Sequence, residues 1–448
     1  MVRKNAVKFV CNNCGAVHGS WMGRCSACGE WNTLIEQLNE TQLAGTGGRK
    51  LEAIGSAVIT KQKPAVRIPS GSLPMDEVLG GGFVPGSVSL LAGQPGIGKS
   101  TLLLQVAHAA AKKVPVLYIS GEESVQQVGL RAARLGASQK DLELASSNSA
   151  DDIAVTVAAG QYGLVVVDSI QTISAAAVSS AAGSVSQITN SAHMLMQAAK
   201  RSNTALLLVG HVTKEGSIAG PKVLEHVVDV VMQLEGDRYG GFKVLRTTKN
   251  RFGSTNESAI YEMAENGLQP VDNPSAALLA ERQVSDGSVV LATLEGVRPL
   301  LVEVQALVNT TSYGYPKRAA SGIDLNRVNL LIAMLERRTK LNLSDKDVYI
   351  NIVGGLKITE PAADLAVCMA IASASKGMQL KKDAVVFGEV GLSGEVRRVP
   401  FAEKRLIEAK KLGFVGAIGP SPGKDSTDKF LLPVRDIRSA LNQFLEKD

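Results

Sequence analysis

The chain has 448 residues, 45% of them hydrophobic and 20% charged, with a formal net charge of +6. That length exceeds one ordinary core and argues for two or three domains. No unbroken apolar run reaches 18 residues, which excludes a membrane-spanning helix, and the mild positive charge permits a polyanionic partner without demanding one. The opening MVRKNAVKFVCNNCG is charged and lacks the apolar segment of an export leader, so a cytoplasmic protein is expected.

Residues 1–38 are rich in Cys, Trp and Asn. Four of the five cysteines sit here as Cys11-x2-Cys14 and Cys25-x2-Cys28, with ten residues between the pairs. A secreted disulfide framework would spread its cysteines along the chain; this clustering points to a metal in a reducing compartment. Zinc takes four tetrahedral ligands and thiolates suit it. Each pair offers two sulfurs from one tight turn, and Gly15 and Gly29 follow where the chain must bend. So short a segment buries little core, and the metal would supply about 10–16 kcal/mol of folding energy, as in comparable peptides. Two disulfides or a redox dithiol are the alternatives. A catalytic zinc is not expected, because four thiolates leave no open position; His18 is a competing ligand for a set already complete. Residues 39–65 show no sustained period and read as a linker.

From 66 to 270, short apolar runs alternate with helical patterns: SVSLLAG, VPVLYISG, GLVVVDS, TALLLVGH, DVVMQLEG and FKVLRTT. This alternation predicts an α/β domain with a largely parallel sheet. The stretch LLAGQPGIGKST holds Gly93-x4-Gly98-Lys99-Ser100 between an apolar strand and an apolar helix, the context of a phosphate-binding P-loop. Gly93, Gln94, Pro95, Gly96, Ile97 and Gly98 would wrap phosphate oxygens with backbone N–H groups, and the helix N-terminus at Lys99, Ser100 and Thr101 adds its positive dipole. Lys99 is expected on the β- and γ-phosphates and Ser100 on Mg²⁺. Asp168 ends the strand GLVVVD where a second Mg²⁺-side carboxylate is expected. VPVLYISGEE ends in Glu122 and Glu123; a carboxylate there can polarise an attacking water, or simply favour a helix N-terminus.

The last 180 or so residues change character. DLNRVNLLIAMLERRTK and PAADLAVCMAIASAS are candidate helices, SVVLATLEG and DVYINIVGG candidate strands. Cys368 is a lone thiol in an apolar helical pattern and reads as core.

Together, GGGFVPGSVSLLAGQPGIGKSTLLLQ, LYISGEES, LVVVDSIQT, LLLVGHVTKEG and TTKNRFGS resemble the bacterial RadA (Sms) family, and the double CxxC in front strengthens the likeness. The match runs essentially the whole chain. It implies a RecA-like ATPase core using ATP, Mg²⁺ and Zn²⁺, active in recombinational repair. It further implies DNA-dependent hydrolysis, branch migration, a hexameric homo-oligomeric ring on single-stranded or branched DNA, and a RecA-type recombinase as partner. An adaptor ATPase that binds recombination proteins without moving DNA is the alternative. The resemblance puts Glu122 ahead of Glu123 as the catalytic acid and makes His211 a γ-phosphate sensor; a strand-end His satisfied within its own domain is the other reading. It also places Lys249 and Arg251 of KNRFG at an edge facing the next subunit, reaching that neighbour's nucleotide. A basic surface hairpin is the plain alternative.

Two loops, roughly 172–190 and HVTKEGSIAGPK after His211, are expected to face DNA, with Lys214, Ser217 and Lys222 as contacts. Neither carries an aromatic stacking residue, so backbone tracking with a steep salt dependence is expected; ordinary surface loops are the alternative. Finally, EPAADLAVCMAIASA and FGEVGLSGEVRRVPFAEKRLIEAKKLGF resemble the proteolytic domain of Lon. There a Ser nucleophile follows a Pro and a Lys is the base. Here Ala362 follows Pro361, and the Lys position registers on Glu403, one before Lys404; Ser373 and Ser393 are off the pattern. A proteolytically inactive α+β scaffold is expected over 271–448, with Lys317, Arg318, Arg397, Arg398 and the stretch YGYPKRAASGID as basic surface.

Overall fold

A computed structural model divides the chain into two units, Met1–Pro64 and Ala65–Asp448. It describes residues 8–11, 14, 16–31, 34–37, 66–211, 222–236, 241–312, 314–380, 383–421 and 428–446. The expected linker 39–65 lies outside the described residues. In the first unit, strands β1 (Lys8–Cys11), β2 (Val17–His18) and β3 (Leu34–Gln37) form an antiparallel sheet in the order β2-β1-β3. Its small core is Cys11, Cys25 and Leu34. Gly29, at φ 78°, takes the left-handed conformation that turns the chain behind Cys28. Trp21 and Trp31 are exposed.

The second unit holds two large sheets. The first has nine strands: β4 (Val88–Gly93), β5 (Val116–Ser120), β6 (Leu142–Ser146), β7 (Leu164–Asp168), β8 (Ala205–His211), β9 (Val230–Gly236), β10 (Phe242–Asn250), β11 (Ser258–Ala264) and β12 (Gly267–Pro270). Their order is β12-β11-β10-β9-β4-β8-β7-β5-β6. Strands β4 to β9 run parallel, and β10, β11 and β12 extend the sheet antiparallel from β9. Near-continuous Val, Leu and Ile runs such as VSLLAG and VLYIS are buried throughout, as a parallel sheet covered on both faces requires. One face packs α1 (Leu73–Leu79), α2 (Lys99–Ala110) and α3 (Val125–Arg134); the other packs α4 (Ala150–Ala158) and α5 (Val185–Ser202).

One expectation needs correction. The loop expected over 172–190 is shorter, because Ser184 caps α5 by accepting from the Gln187 amide and the helix takes over at Val185. β10, which carries Lys249, has β11 and β12 outside it in the sheet.

The second sheet is built on β13 (Ser288–Glu295), β14 (Arg298–Thr310), β15 (Arg318–Ser321) and β16 (Lys346–Ile352), then Ala384–Val386, Gly416–Pro420 and Leu431–Val434. The order is β15-β16-β14-β13 followed by those three, with mixed directions. Around it lie α7 (Pro274–Leu279), α8 (Leu325–Thr339), α9 (Asp364–Lys376) and α10 (Ala402–Lys411), of which α9 is buried over ten consecutive residues; α6 (Lys222–Val227), which precedes β9, packs instead on the first sheet beside α5. Cys368 lies within that stretch, fully buried. Val244 and Ile260 of the first sheet share a hydrophobic cluster with Leu278, Val289 and Val302, so the core is continuous between the two sheets. No helix among the described residues is long and apolar enough to cross a membrane.

Candidate nucleotide site and metal centre

Parallel α/β sheets collect ligands at the carboxyl ends of their strands, and here four such ends converge. β4 runs into Gly93, and the chain then crosses Gln94, Pro95 and Gly96, all exposed, to the buried Ile97. Gly98, at φ 111°, opens α2, whose first amides receive no side-chain cap. The site is cramped where it must be: a Cβ on Gly93 would lie 2.7 Å from the Leu234 carbonyl oxygen. Lys99 is 4% exposed and folds back, donating to the carbonyls of Gly93 (2.9 Å) and Gln94 (3.0 Å). Burial lowers its pKa to about 8, against the opposing pull of Asp168 and Glu122. Ser100 and Thr101, half-buried, follow on the first turn.

Asp168 ends β7, and its Oδ2 accepts from the Tyr118 hydroxyl at 2.6 Å. Burial, then the charge of Asp168, drives the Tyr118 phenol pKa up, so it stays a donor. Glu122 and Glu123 are told apart by their surroundings. Glu123 pairs with Arg131 of α3. Glu122 accepts from the Ser169 hydroxyl at 2.8 Å and stands 3.6 Å from Nε2 of His211, at the end of β8. The turn beneath is tight: a Cβ on Gly121 would lie 2.1 Å from Thr172 Oγ1. Two polar groups here are buried with no hydrogen-bond partner among the described residues: the Gln171 side-chain amide and His211 Nδ1. A hydroxyl and a carboxylate are the hard oxygen donors Mg²⁺ takes, so Ser100 and Asp168 fit that ion.

Lys249 and Arg251 stand elsewhere. Lys249 pairs with Val231, and Val231 with Leu90, three residues before Gly93. Lys249 therefore leaves the sheet about 10 Å down β4 from its own P-loop, and Arg251 farther still. The Lys249 ammonium donates to the carbonyls of Glu225 (2.6 Å), Val228 (2.8 Å) and His226 (3.4 Å), the orphan acceptors at the end of α6. Arg251, 55% exposed, pairs with Asp229 at 3.2 Å. Asp229 is fixed in turn by the Val88 amide. Of the expected DNA contacts, Lys214, Ser217 and the Lys222 side chain lie outside the described residues.

In the first unit the sulfurs of Cys11, Cys14, Cys25 and Cys28 all lie within 4.8 Å of one another. Cys11–Cys28 and Cys14–Cys25 are each 3.7 Å apart. Tetrahedral zinc with thiolate bonds of about 2.3 Å asks for sulfurs about 3.8 Å apart, so the set fits zinc. His18 Nε2 is 3.5 Å from the Cys25 sulfur, outside the four-sulfur cluster.

Family models agree with this division. One described as an AAA domain matches residues 62–217, a rubredoxin metal binding domain matches 9–36, and subunit ChlI of Mg-chelatase matches 309–422. The DNA repair protein RadA of Pseudomonas aeruginosa is 45% identical over 447 residues, spanning 98% of each chain. The Aquifex aeolicus protein of that name is 44% identical over 439 residues, 98% of this chain and 99% of its own. That of Bacillus subtilis is 47% identical over 438 residues, 95% of each. The chain belongs to the DNA repair protein RadA family. Among solved structures, the RadB recombinase aligns with 46% of the chain at 20% identity and TM-score 0.37, a likeness too slight to argue from.

The family's C-terminal region carries a second polar cleft here. Ala362 is buried and Glu403 is exposed. The helix residue that turns inward is Arg405, which is wholly buried. It donates to both carboxylate oxygens of Glu360 (2.8 and 2.7 Å) and to the Ala292 carbonyl (2.6 Å). Glu360 also accepts from the Thr293 hydroxyl and the Leu294 amide. Lys404 reaches the Val297 carbonyl instead. Ser373 is buried and bonded to Gly287 and Met378. Of the expected basic surface, Arg397 pairs with Glu395 and Arg398 reaches the Ser421 carbonyl. Arg405, Tyr118, Ser169 and Gln171 escaped sequence reasoning. Only Gln171 had a readable cue, an amide directly after the Asp168 strand end.

Proposed function

We propose that this chain is an ATP hydrolase of recombinational DNA repair that moves along single-stranded DNA and promotes branch migration, with catalytic centres shared between neighbours in a homo-oligomeric ring. The carrying observation is the separation just described. The basic tip of β10 stands well down the sheet from its own P-loop, so a second subunit's nucleotide is the natural target of Lys249 and Arg251.

Within one protomer, Gly93 to Gly98 cradle the phosphates, Lys99 leaves its two carbonyls for phosphate oxygens, and Ser100 and Thr101 present hydroxyls beside them. Glu122, oriented by Ser169, takes the proton of the attacking water, and His211 reports the γ-phosphate to the chain that follows it. Ser100 and Asp168 would hold Mg²⁺, which would supply positive charge against the negative charge developing on the transferred phosphoryl group. Lys249 and Arg251 stabilise that charge from the next subunit, a contribution of about 10³–10⁵ in rate for arginine fingers elsewhere. Residues 66–270 form the motor. Residues 271–448 form a scaffold without peptidase activity, since position 362 offers no nucleophile and Arg405 is locked to Glu360.

The test mixes two inactive proteins, Lys99→Ala and Arg251→Ala. Hydrolysis above the sum of the two alone is expected, because some interfaces then join an intact P-loop to intact cations. A silent mixture defeats the shared centre. Translocation is tested apart, by ATP-dependent displacement of a labelled strand from a three-strand junction. Its absence alongside normal hydrolysis would favour an adaptor ATPase, a reading to which the exposed Trp21 and Trp31 lend a docking surface.

A further inference from the structure

The tip that carries Lys249 and Arg251 is anchored to the C-terminal sheet at three points. Arg246, three residues before Lys249 on β10, donates from Nε and Nη2 to the two carboxylate oxygens of Glu295, and from Nη1 to Glu235 at 2.5 Å. On the return strand, the Ser258 hydroxyl donates to the Glu295 carbonyl at 2.9 Å. Between them, the Asn256 carbonyl accepts from the Val297 amide at 2.8 Å. The anchoring residues Glu295, Gly296 and Val297 form the turn joining β13 to β14. Gly296 is required there: at φ 63°, a Cβ would lie 1.9 Å from the Asn256 carbonyl oxygen.

The Arg246–Glu295 pair is well sheltered, with side-chain exposures of 27% and 11%. A bidentate fork fixes the angle of the strand as well as its distance. Directly beyond it the ladder slips, between Thr247 and Lys249. A bulge re-aims whatever follows, so the direction of the tip depends on the strand being held firm just before it. On the other flank, Thr247 and Asn250 reach the Val78 carbonyl, and Arg67 reaches that of Phe252.

We propose that Glu295 is a positioning residue for hydrolysis in the adjacent subunit: by gripping Arg246 it lets the C-terminal domain set where the Lys249–Arg251 tip points. This rests on the shared-centre reading above. It assigns the C-terminal domain a part in the catalytic rate beyond that of a scaffold.

The experiment uses the full-length protein. Glu295→Gln keeps the shape and loses the charge; Arg246→Lys keeps the charge and loses the fork. Each is expected to lower DNA-stimulated kcat about 10- to 100-fold, the scale of a small misplacement, with the KM for ATP unchanged. Each should also regain activity when mixed with Lys99→Ala, whose cations are correctly held. A pair that merely staples two domains would damage its own P-loop site as well, and mixing would not cure that. The Arg251→Ala and Lys99→Ala mixture is the control. If it recovers while both test variants stay inactive in mixtures, or if both keep wild-type kcat, Glu295 does not position the tip. If the control itself is silent, the shared centre fails and this inference falls with it.

Discussion

The two polar clefts of the large unit make opposite use of similar groups. Over the P-loop, Lys99 is tied to carbonyls of its own loop, and the Gln171 amide and His211 Nδ1 are buried without partners among the described residues. In the C-terminal cleft, Arg405 and Glu360 satisfy each other and draw in Ala292, Thr293 and Leu294. Unmet hydrogen-bonding capacity in a buried place is costly, and it persists where a ligand will meet it. A cleft whose groups are all met internally has become part of the framework. The first cleft is therefore built to work, the second to hold.

Single substitutions can break this contrast. Lys99→Ala should lower ATP hydrolysis about 10³-fold or more yet shift stability by less than about 1 kcal/mol, read by phosphate release and by denaturant unfolding. Arg405→Ala should do the reverse. Removing one partner of a buried pair leaves the other unpaired and costs about 3–5 kcal/mol, while hydrolysis per folded molecule holds. The double replacement Arg405→Met with Glu360→Leu should recover most of that loss; no recovery would mean that Arg405 serves something besides Glu360.

The smallest effect is in pH. Burial pushes Glu360 up, but the Arg405 hydrogen bond and charge, with Thr293 and Leu294, leave its pKa below the ordinary 4.5. A depressed carboxylate contributes stability that is present above 4.5 and lost as pH falls through the folded value. Glu360→Gln should flatten acid destabilisation below about pH 4.5, measured by urea melts in acetate and formate buffers. An unchanged slope would place the acid sensitivity in other groups.

Much of the first cleft was legible because its chemistry is local. Gly93 to Ser100 and Asp168 announce themselves by spacing at strand ends, as do the four cysteines by theirs. The second cleft was not. Arg405 sits in AEKRLIEAKK, which reads as a solvated face, and only the arrival of Glu360 from another element turns it inward. The Lys249 grip on the end of α6 likewise joins segments more than twenty residues apart. Nothing in the residues of β10 tells that two further strands, β11 and β12, lie outside it.

Trp21 and Trp31 are the only two tryptophans in the sequence, and both stand exposed in the unit that carries the four cysteines. Red-edge excitation of the intact protein thus illuminates the amino-terminal unit alone. Withdrawal of zinc by a chelator, or arrival of a partner at that surface, would be visible as an emission change with no tryptophan background from the rest of the chain.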